Sequence, residues 1–364
     1  MAISRRAAVL GAAGLLAGGC ARHASRDEAA AVRAAVAGRA APALGGAELA
    51  SWTLRPTGIR LDGDRATASA ELTYRIAGYD TAPVTAARTL DLHRTGGGWR
   101  VDADRPAPGA AAQPWDQGPV RARRGARALV LGAGPLPERL AELARAADRA
   151  VTAASAAWPE PWARRVLVLL PPSQAAMGAL LGRPATAYAG TAAVTTGHTG
   201  PGAPADRVVV NPEEYAGLSA LGREVVIAHE TTHVATRRAT TERTPLWLSE
   251  GFADWAAWRG RRLAPHEIAP ELTRTGPPGT LPGNDAFAFG GDPATLARAY
   301  EAAHLACALV AEEWGEAPLR ALYRQAGTSG APTALRSVLG TTPAAFTTRW
   351  RAYVREELGP GAGR

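Results

Sequence analysis

The chain has seven histidines among 364 residues. Two of them stand four apart in Val225-Val226-Ile227-Ala228-His229-Glu230-Thr231-Thr232-His233. On a helix this spacing stacks both imidazoles on one face. So placed, they can share one metal ion, with Glu230 between them in reach of a water on that metal. A short polar stretch then leads to Pro245-Leu246-Trp247-Leu248-Ser249-Glu250-Gly251-Phe252-Ala253-Asp254-Trp255. Glu250 is a candidate third ligand, delivered by a second helix packed against the first. Asp254, four residues on, shares the face of Glu250. There it could accept the free ring N–H of a ligating histidine, which fixes tautomer and ring orientation. Three protein ligands on a tetrahedral metal leave a fourth position for water, the arrangement of a catalytic site rather than a structural one.

His-Glu-x-x-His followed by Trp-Leu-Ser-Glu-Gly-Phe-Ala-Asp resembles the gluzincin metallopeptidases, the group that includes thermolysin and aminopeptidase N. The resemblance covers roughly residues 125–358 and is specific to the superfamily, not to one family within it. It implies Zn2+ held by His229, His233 and Glu250, with Glu230 as general base. Leu296-Ala297-Arg298-Ala299-Tyr300-Glu301-Ala302-Ala303-His304 resembles the tyrosine-bearing helix of the aminopeptidase N group. That likeness implies Tyr300 as donor to the oxyanion of the tetrahedral intermediate, with His304, one turn on, as the alternative. The Gly-x-Met-Glu-Asn motif with which those relatives bind a free N-terminus is absent, since the methionines are Met1 and Met177. Endopeptidase and exopeptidase both stay open. Tyr188-Ala189-Gly190-Thr191-Ala192 is read from its position as the strand along which a peptide would lie.

The 41 basic residues are all arginine, and the net charge is +8. They are scattered, with no long run and no interleaved aromatics, so nucleic acid is not expected as a partner. Ser4-Arg5-Arg6 precedes an apolar, small-residue run over 7–19 that is closed by Cys20. That is the layout of a secretory signal, too short to span a membrane. The paired arginines resemble a twin-arginine export signal. Leu15-Leu16-Ala17-Gly18-Gly19-Cys20 resembles a bacterial lipoprotein cleavage box, although leucine stands one place early, at Leu16. The expectation is an extracytoplasmic protein anchored to the cell membrane by lipid on Cys20, or else secreted. With two cysteines in all, there is no disulfide framework. Cys307, in an apolar helical run, reads as a small buried hydrophobe.

These residues need elements to hold them. Arg65 to Ile76 alternates without fault, with Ala66, Ala68, Ala70, Leu72, Tyr74 and Ile76 on one side, as in a half-buried strand. Leu90 to Arg94 and Trp99 to Asp102 flank Gly96-Gly97-Gly98, which reads as a hairpin. With a helix over about 27–41 ahead of them, these strands resemble the cystatin-like or NTF2-like folds. Proline, alanine and glycine dominate the next stretch, as in a linker. Strands over 126–132, 165–170 and 208–210 then interleave with a helix over 137–157. The motif helix is placed at about 219–235, with Leu221, Val225 and Ala228 as its buried stripe. A Gly/Pro-rich loop over 275–293 precedes helices over 294–314, 317–325, 332–339 and 343–358.

The fold class expected is α+β: a zincin-like catalytic domain with a helical C-terminal half, preceded by a small α+β domain. The expected organisation is 1–20 signal peptide, 21–104 small domain, 105–124 linker and 125–358 peptidase domain. The function expected is zinc-dependent hydrolysis of peptide bonds in a peptide or protein substrate. The alternative is a zinc-holding binding protein at the cell surface that acts through its N-terminal domain without cleaving.

Overall fold

The computed structural model describes residues 14–134, 137–197, 202–288 and 292–359, with side chains from Arg26 onward. Ser4-Arg5-Arg6, the Cys20 side chain and His198 therefore lie outside the described residues. The architecture is mixed α+β, with two sheets and twelve helices among the described residues. No described helix is long and apolar enough to cross a membrane.

The chain divides into two compact units, which draw on interleaved segments. The first comprises the chain up to Ala41 together with Ser51–Tyr74 and Thr85–Ala110. It holds helix α1 (Gly14–Ala37) and most of a four-stranded sheet in the order β1 (Leu49–Asp62), β2 (Arg65–Ile76), β3 (Val84–Thr95) and β4 (Gly98–Pro106). The alternating residues of β2 are buried from Ala66 to Ile76, as their period demands. β3 and β4 form the expected hairpin, Thr95 opposite Gly98. β1 was hidden in the sequence by Pro56, which removes a ladder donor; the strand takes the edge of the sheet, where proline is tolerated.

The second unit carries everything from Ala111 onward, together with Pro42–Ala50 and Arg75–Val84. Its sheet runs β5 (Val120–Arg124), β6 (Ala128–Ala133), β7 (Val166–Leu170), β9 (Arg207–Val210) and β8 (Ala193–Thr195). The three central strands are parallel and buried along their whole length, and β5 and β8 close the edges antiparallel. Continuous Val/Leu runs replace alternation because both faces of these strands are covered. α2 (Pro137–Ala157) packs on this sheet through Leu140, Leu143, Ala147 and Val151. α3 (Gln174–Leu181) lies in the connection from β7 to β8, and α4 (Pro212–Gly217) follows β9 and leads into the next helix.

α5 (Ala220–Thr236) opens on Ser219, whose hydroxyl accepts from Gly222 N at 3.0 Å. Its buried stripe is Val225, Ile227 and Ala228. Leu221, expected in that stripe, is instead 37% exposed, because it sits in the first turn ahead of the residues that reach the core. α6 (Leu246–Trp258), α7 (Pro265–Ile268), α8 (Pro270–Thr275), α9 (Pro293–Glu313), α10 (Glu316–Ser329), α11 (Ala331–Leu339) and α12 (Pro343–Leu358) complete a helical half. At its centre the rings of Trp158, Phe252 and Tyr323 meet at centroid distances of 5.2–5.6 Å. Cys307 is fully buried there, and burial pushes its thiol far above the ordinary value.

The segment around residue 80 is pinned by an ion pair. Arg207 Nη1 and Nη2 each donate to the Asp80 carboxylate at 2.7 Å, and the Asp80 side chain is fully buried. Asp80 also accepts from Ile76 N at 2.8 Å. A bidentate pair with its remaining lone pair satisfied is the form in which a buried charge is tolerated.

Candidate metal centre

α5 and α6 bring the sequence-selected residues together. His229 and His233 project from one face of α5, their ring centroids 4.8 Å apart. Glu250 reaches them from α6, with Oε2 3.2 Å from both His229 Nε2 and His233 Nε2. The two Nε2 atoms are 3.0 Å apart. Three ligand atoms thus form a nearly equilateral triangle. Metal–ligand bonds of about 2.0–2.1 Å in a tetrahedron subtend edges of about 3.3 Å, so the donor set fits a small divalent cation such as zinc. Two lone-pair nitrogens and a carboxylate oxygen at this spacing repel one another unless a cation or shared protons lie among them.

The surroundings orient these groups. His229 Nδ1–H donates to Asp254 Oδ1 at 2.8 Å, which leaves Nε2 as the nitrogen aimed at the centre. Burial works against charge here, but the Asp254 carboxylate, then Glu250 and Glu230, hold His229 well above the ordinary imidazole range. Burial also opposes the charge of Glu250, and the two histidines more than offset it, holding that carboxyl well below the usual range. A ligand set poised to carry excess negative charge from Glu250, Glu230 and Asp254 suits a cation.

The approach of α6 depends on Gly251. A Cβ at that position would stand 2.2 Å from Ala303 O of α9. Glycine therefore lets the two helices touch, and it neighbours Glu250. The start of α6 is tied down where Leu246 N donates to Asn284 Oδ1 at 2.9 Å, from the Gly/Pro-rich loop. α9 opens on Asp292, which accepts from Thr295 N at 2.9 Å, with Pro293 in the first turn.

Tyr300, on α9, packs its ring 5.9 Å from that of His229 and 5.4 Å from that of Phe287. Burial first, then the carboxylates Glu250, Glu230 and Asp254, raise its phenol well above the ordinary value. It stays an O–H donor at any ordinary pH. His304, one turn on, is 7% exposed, and its burial lowers its pKa. Its Nδ1 has no partner among the described residues. His266 is exposed, as a surface residue should be.

Sequence reasoning missed one residue of this site. Thr195, on β8, donates through Oγ1 to Glu230 Oε2 at 2.6 Å and lies 3.0 Å from Glu230 O. The edge strand is Ala193–Thr195, not the stretch Tyr188–Ala192. Those residues follow a short 3-10 turn, Ala185–Tyr188, and Gly190 adopts φ 75°, which breaks any strand there. The β-branched pair Val194-Thr195 after that glycine was the available signal.

No protein-family model and no curated protein sequence matches the chain. Among solved structures it is similar to the M1 zinc metallopeptidase from Deinococcus radiodurans, at 15% identity and TM-score 0.38, over 83% of this chain and 64% of that one. A mutant of that peptidase gives 14% identity and TM-score 0.39 over the same shares. A two-domain M1 zinc metallopeptidase mutant bound to L-arginine gives 14% and 0.38, over 83% of this chain and 63% of that one. The chain thus spans less than two thirds of the length of these structures.

Proposed function

We propose that the chain is a zinc-dependent peptidase of gluzincin type, exported and lipid-anchored through Cys20. The observation that carries this reading is the convergence of His229 Nε2, His233 Nε2 and Glu250 Oε2 within 4.8 Å of one another, beside a carboxylate of α5 that is held by an edge strand. In this reading those three residues are the ligands and Asp254 orients His229. Zinc bound there would supply a Lewis acid and bring the pKa of a water toward neutrality. Glu230, its carboxylate steadied by Thr195, takes the proton of the attacking water and returns it to the leaving amine. Tyr300, kept protonated by its surroundings, donates to the oxygen on which charge develops. β8, at the edge of its sheet, offers backbone groups to an extended substrate as an added strand. The first unit, a helix and a sheet, is read as a cystatin-like or NTF2-like module in the 21–104, 105–124 and 125–358 organisation. Pro42–Ala50 and Arg75–Val84 of the first range are given over to the second unit, and β5 lies inside the middle range.

The test is hydrolysis of a mixed quenched-fluorescent peptide pool by the purified protein beside Glu230→Gln, which keeps every proposed ligand and removes the base. Chelator-sensitive cleavage that disappears in the variant is the expected result. If both proteins hold one zinc and neither cleaves, the reading gives way to a zinc-holding binding protein. The intact Glu230 favours the peptidase, since a site kept for metal alone has no use for a base.

A further inference from the structure

We propose that a groove at the C-terminal end of α5 is a subsite for carboxylate-bearing polypeptide, which makes acidic peptides the substrate class; that assignment of class rests on the peptidase reading. The groove has a volume of about 980 Å3, at the upper end of the ~300–1,000 Å3 typical of ligand sites. Leu167, Val234 and Trp162 supply large apolar side chains to its lining, and its charged lining is mostly guanidinium.

The charges do not cancel. Asp206 is engaged by Arg237, whose Nε donates to it at 2.7 Å. Arg165 and Arg243 donate instead to backbone carbonyls, Gly78 O at 3.0 Å and Thr328 O at 2.6 Å. Those bonds fix both guanidiniums without neutralising them. Arg238 has no ion pair among the described residues, and Glu242 is the one other carboxylate of the lining. Three uncompensated cations therefore face one anion. Complementing the negative end of the α5 dipole accounts for arginines at positions 237 and 238. It does not account for Arg165, ahead of β7, or Arg243, in the loop before α6, both aimed at the same space.

The groove adjoins the candidate centre along α5. Arg237 follows His233 by four residues, about 6 Å along the helix axis. Its Nη2 donates to Thr196 O at 3.1 Å, and the preceding residue, Thr195, holds Glu230. α5 runs out into the groove, and β8 meets it only through the bond from Arg237 to Thr196, the residue that follows the strand. A peptide extended along β8 advances about 3.3 Å per residue. On this reading a side chain two or three residues from the bond opposite Glu230 reaches the groove at Arg237, the lining residue that touches the end of β8.

The test measures binding apart from cleavage. Full-length Glu230→Gln is titrated, by fluorescence anisotropy at low salt, into two labelled peptides that differ only in carrying Glu or Gln at the second and third positions from the bond. The Glu peptide should bind about ten-fold more tightly, as three partly screened ion pairs would give, and the preference should shrink as salt is added. Adding Arg238→Glu, or Arg165→Gln with Arg243→Gln, should abolish the preference; unchanged melting and zinc content verify that these exposed changes leave the fold intact. Equal binding of the two peptides, or a preference that survives both variants, overturns the groove whatever the wild type cleaves. Displacement of the Glu peptide by millimolar inorganic phosphate at constant ionic strength overturns it in favour of a small-anion site. If Arg-dependent binding of the Glu peptide holds while the wild type cleaves neither peptide, the groove stands and the peptidase reading falls.

Discussion

Gly251→Ala adds one methyl group where α6 comes closest to α9. The new Cβ would lie 2.2 Å from Ala303 O, 2.6 Å from Ala303 C and 3.0 Å from Cys307 Sγ. Two of the three obstacles are backbone atoms and the third is a fully buried sulfur, so no flexible side chain can yield. The helices must move apart by about an ångström to reach ordinary contact. Over-packing a core costs about 1–3 kcal/mol, and a collision with backbone belongs at the top of that range. Alanine gains about 0.8–1 kcal/mol of helix propensity over glycine, which leaves a net loss of about 2 kcal/mol. At about 2–4 °C per kcal/mol for a unit of this size, the melting temperature should fall by about 4–8 °C. Because residue 250 is the next in the helix, the shift also carries the Glu250 carboxylate away from both histidines. Calorimetry with and without chelator, together with zinc content by atomic absorption, reads both effects. A variant that melts at or above the parent with a full complement of zinc would refute the argument, because propensity would then outweigh a contact that does not exist.

Further outcomes follow from the orienting groups. Asp254→Asn replaces the carboxylate that accepts from His229 Nδ1–H with a neutral amide and should weaken zinc about 10–100-fold in a competitive chelator titration; unchanged affinity would remove Asp254 from the site. Thr195→Val deletes the bond to Glu230 Oε2 and should lower kcat about 10–100-fold, in line with the ~1.5–3 kcal/mol of a hydrogen bond to a charged group. Thr195→Ser should restore most of that rate, and a serine variant as slow as valine would argue that the methyl, not the hydroxyl, matters. Tyr300→Phe should cost about 10²–10³ in kcat with KM and zinc content little changed, and a rate within two- or three-fold of the parent would pass the donor role to another group.

His229, His233, Glu250 and Asp254 were legible because helical period is local: spacings of four residues place groups on one face whatever the tertiary context. The central strands were legible for a similar reason, as unbroken runs of Val and Leu between helices. Thr195 was not, because its role comes from pairing with β9 and from facing a residue 35 positions away, and nothing in Ala193-Val194-Thr195 announces either. β1 was obscured by Pro56, whose meaning changes with its place in the sheet. The exposure of Leu221 was likewise invisible, since period gives the face of a helix but not how far along the helix the core extends. The groove beyond α5 gathers arginines from three separate segments, which sequence order keeps apart.

The clamp between Asp80 and Arg207 spans 127 residues of chain. During synthesis at about 5–20 residues per second, the carboxylate waits about 6–25 s for its guanidinium. The first unit has all of its strands well before then, but Arg75–Val84, threaded between β2 and β3, belongs to the second. It can dock only after β9 has been made. Any fragment that starts beyond residue 84 lacks this carboxylate altogether and leaves Arg207 with a buried, unmatched charge. The protein is thus wound so that its second unit cannot be cut free at the proline-rich stretch without losing a fastening that lies upstream of the cut.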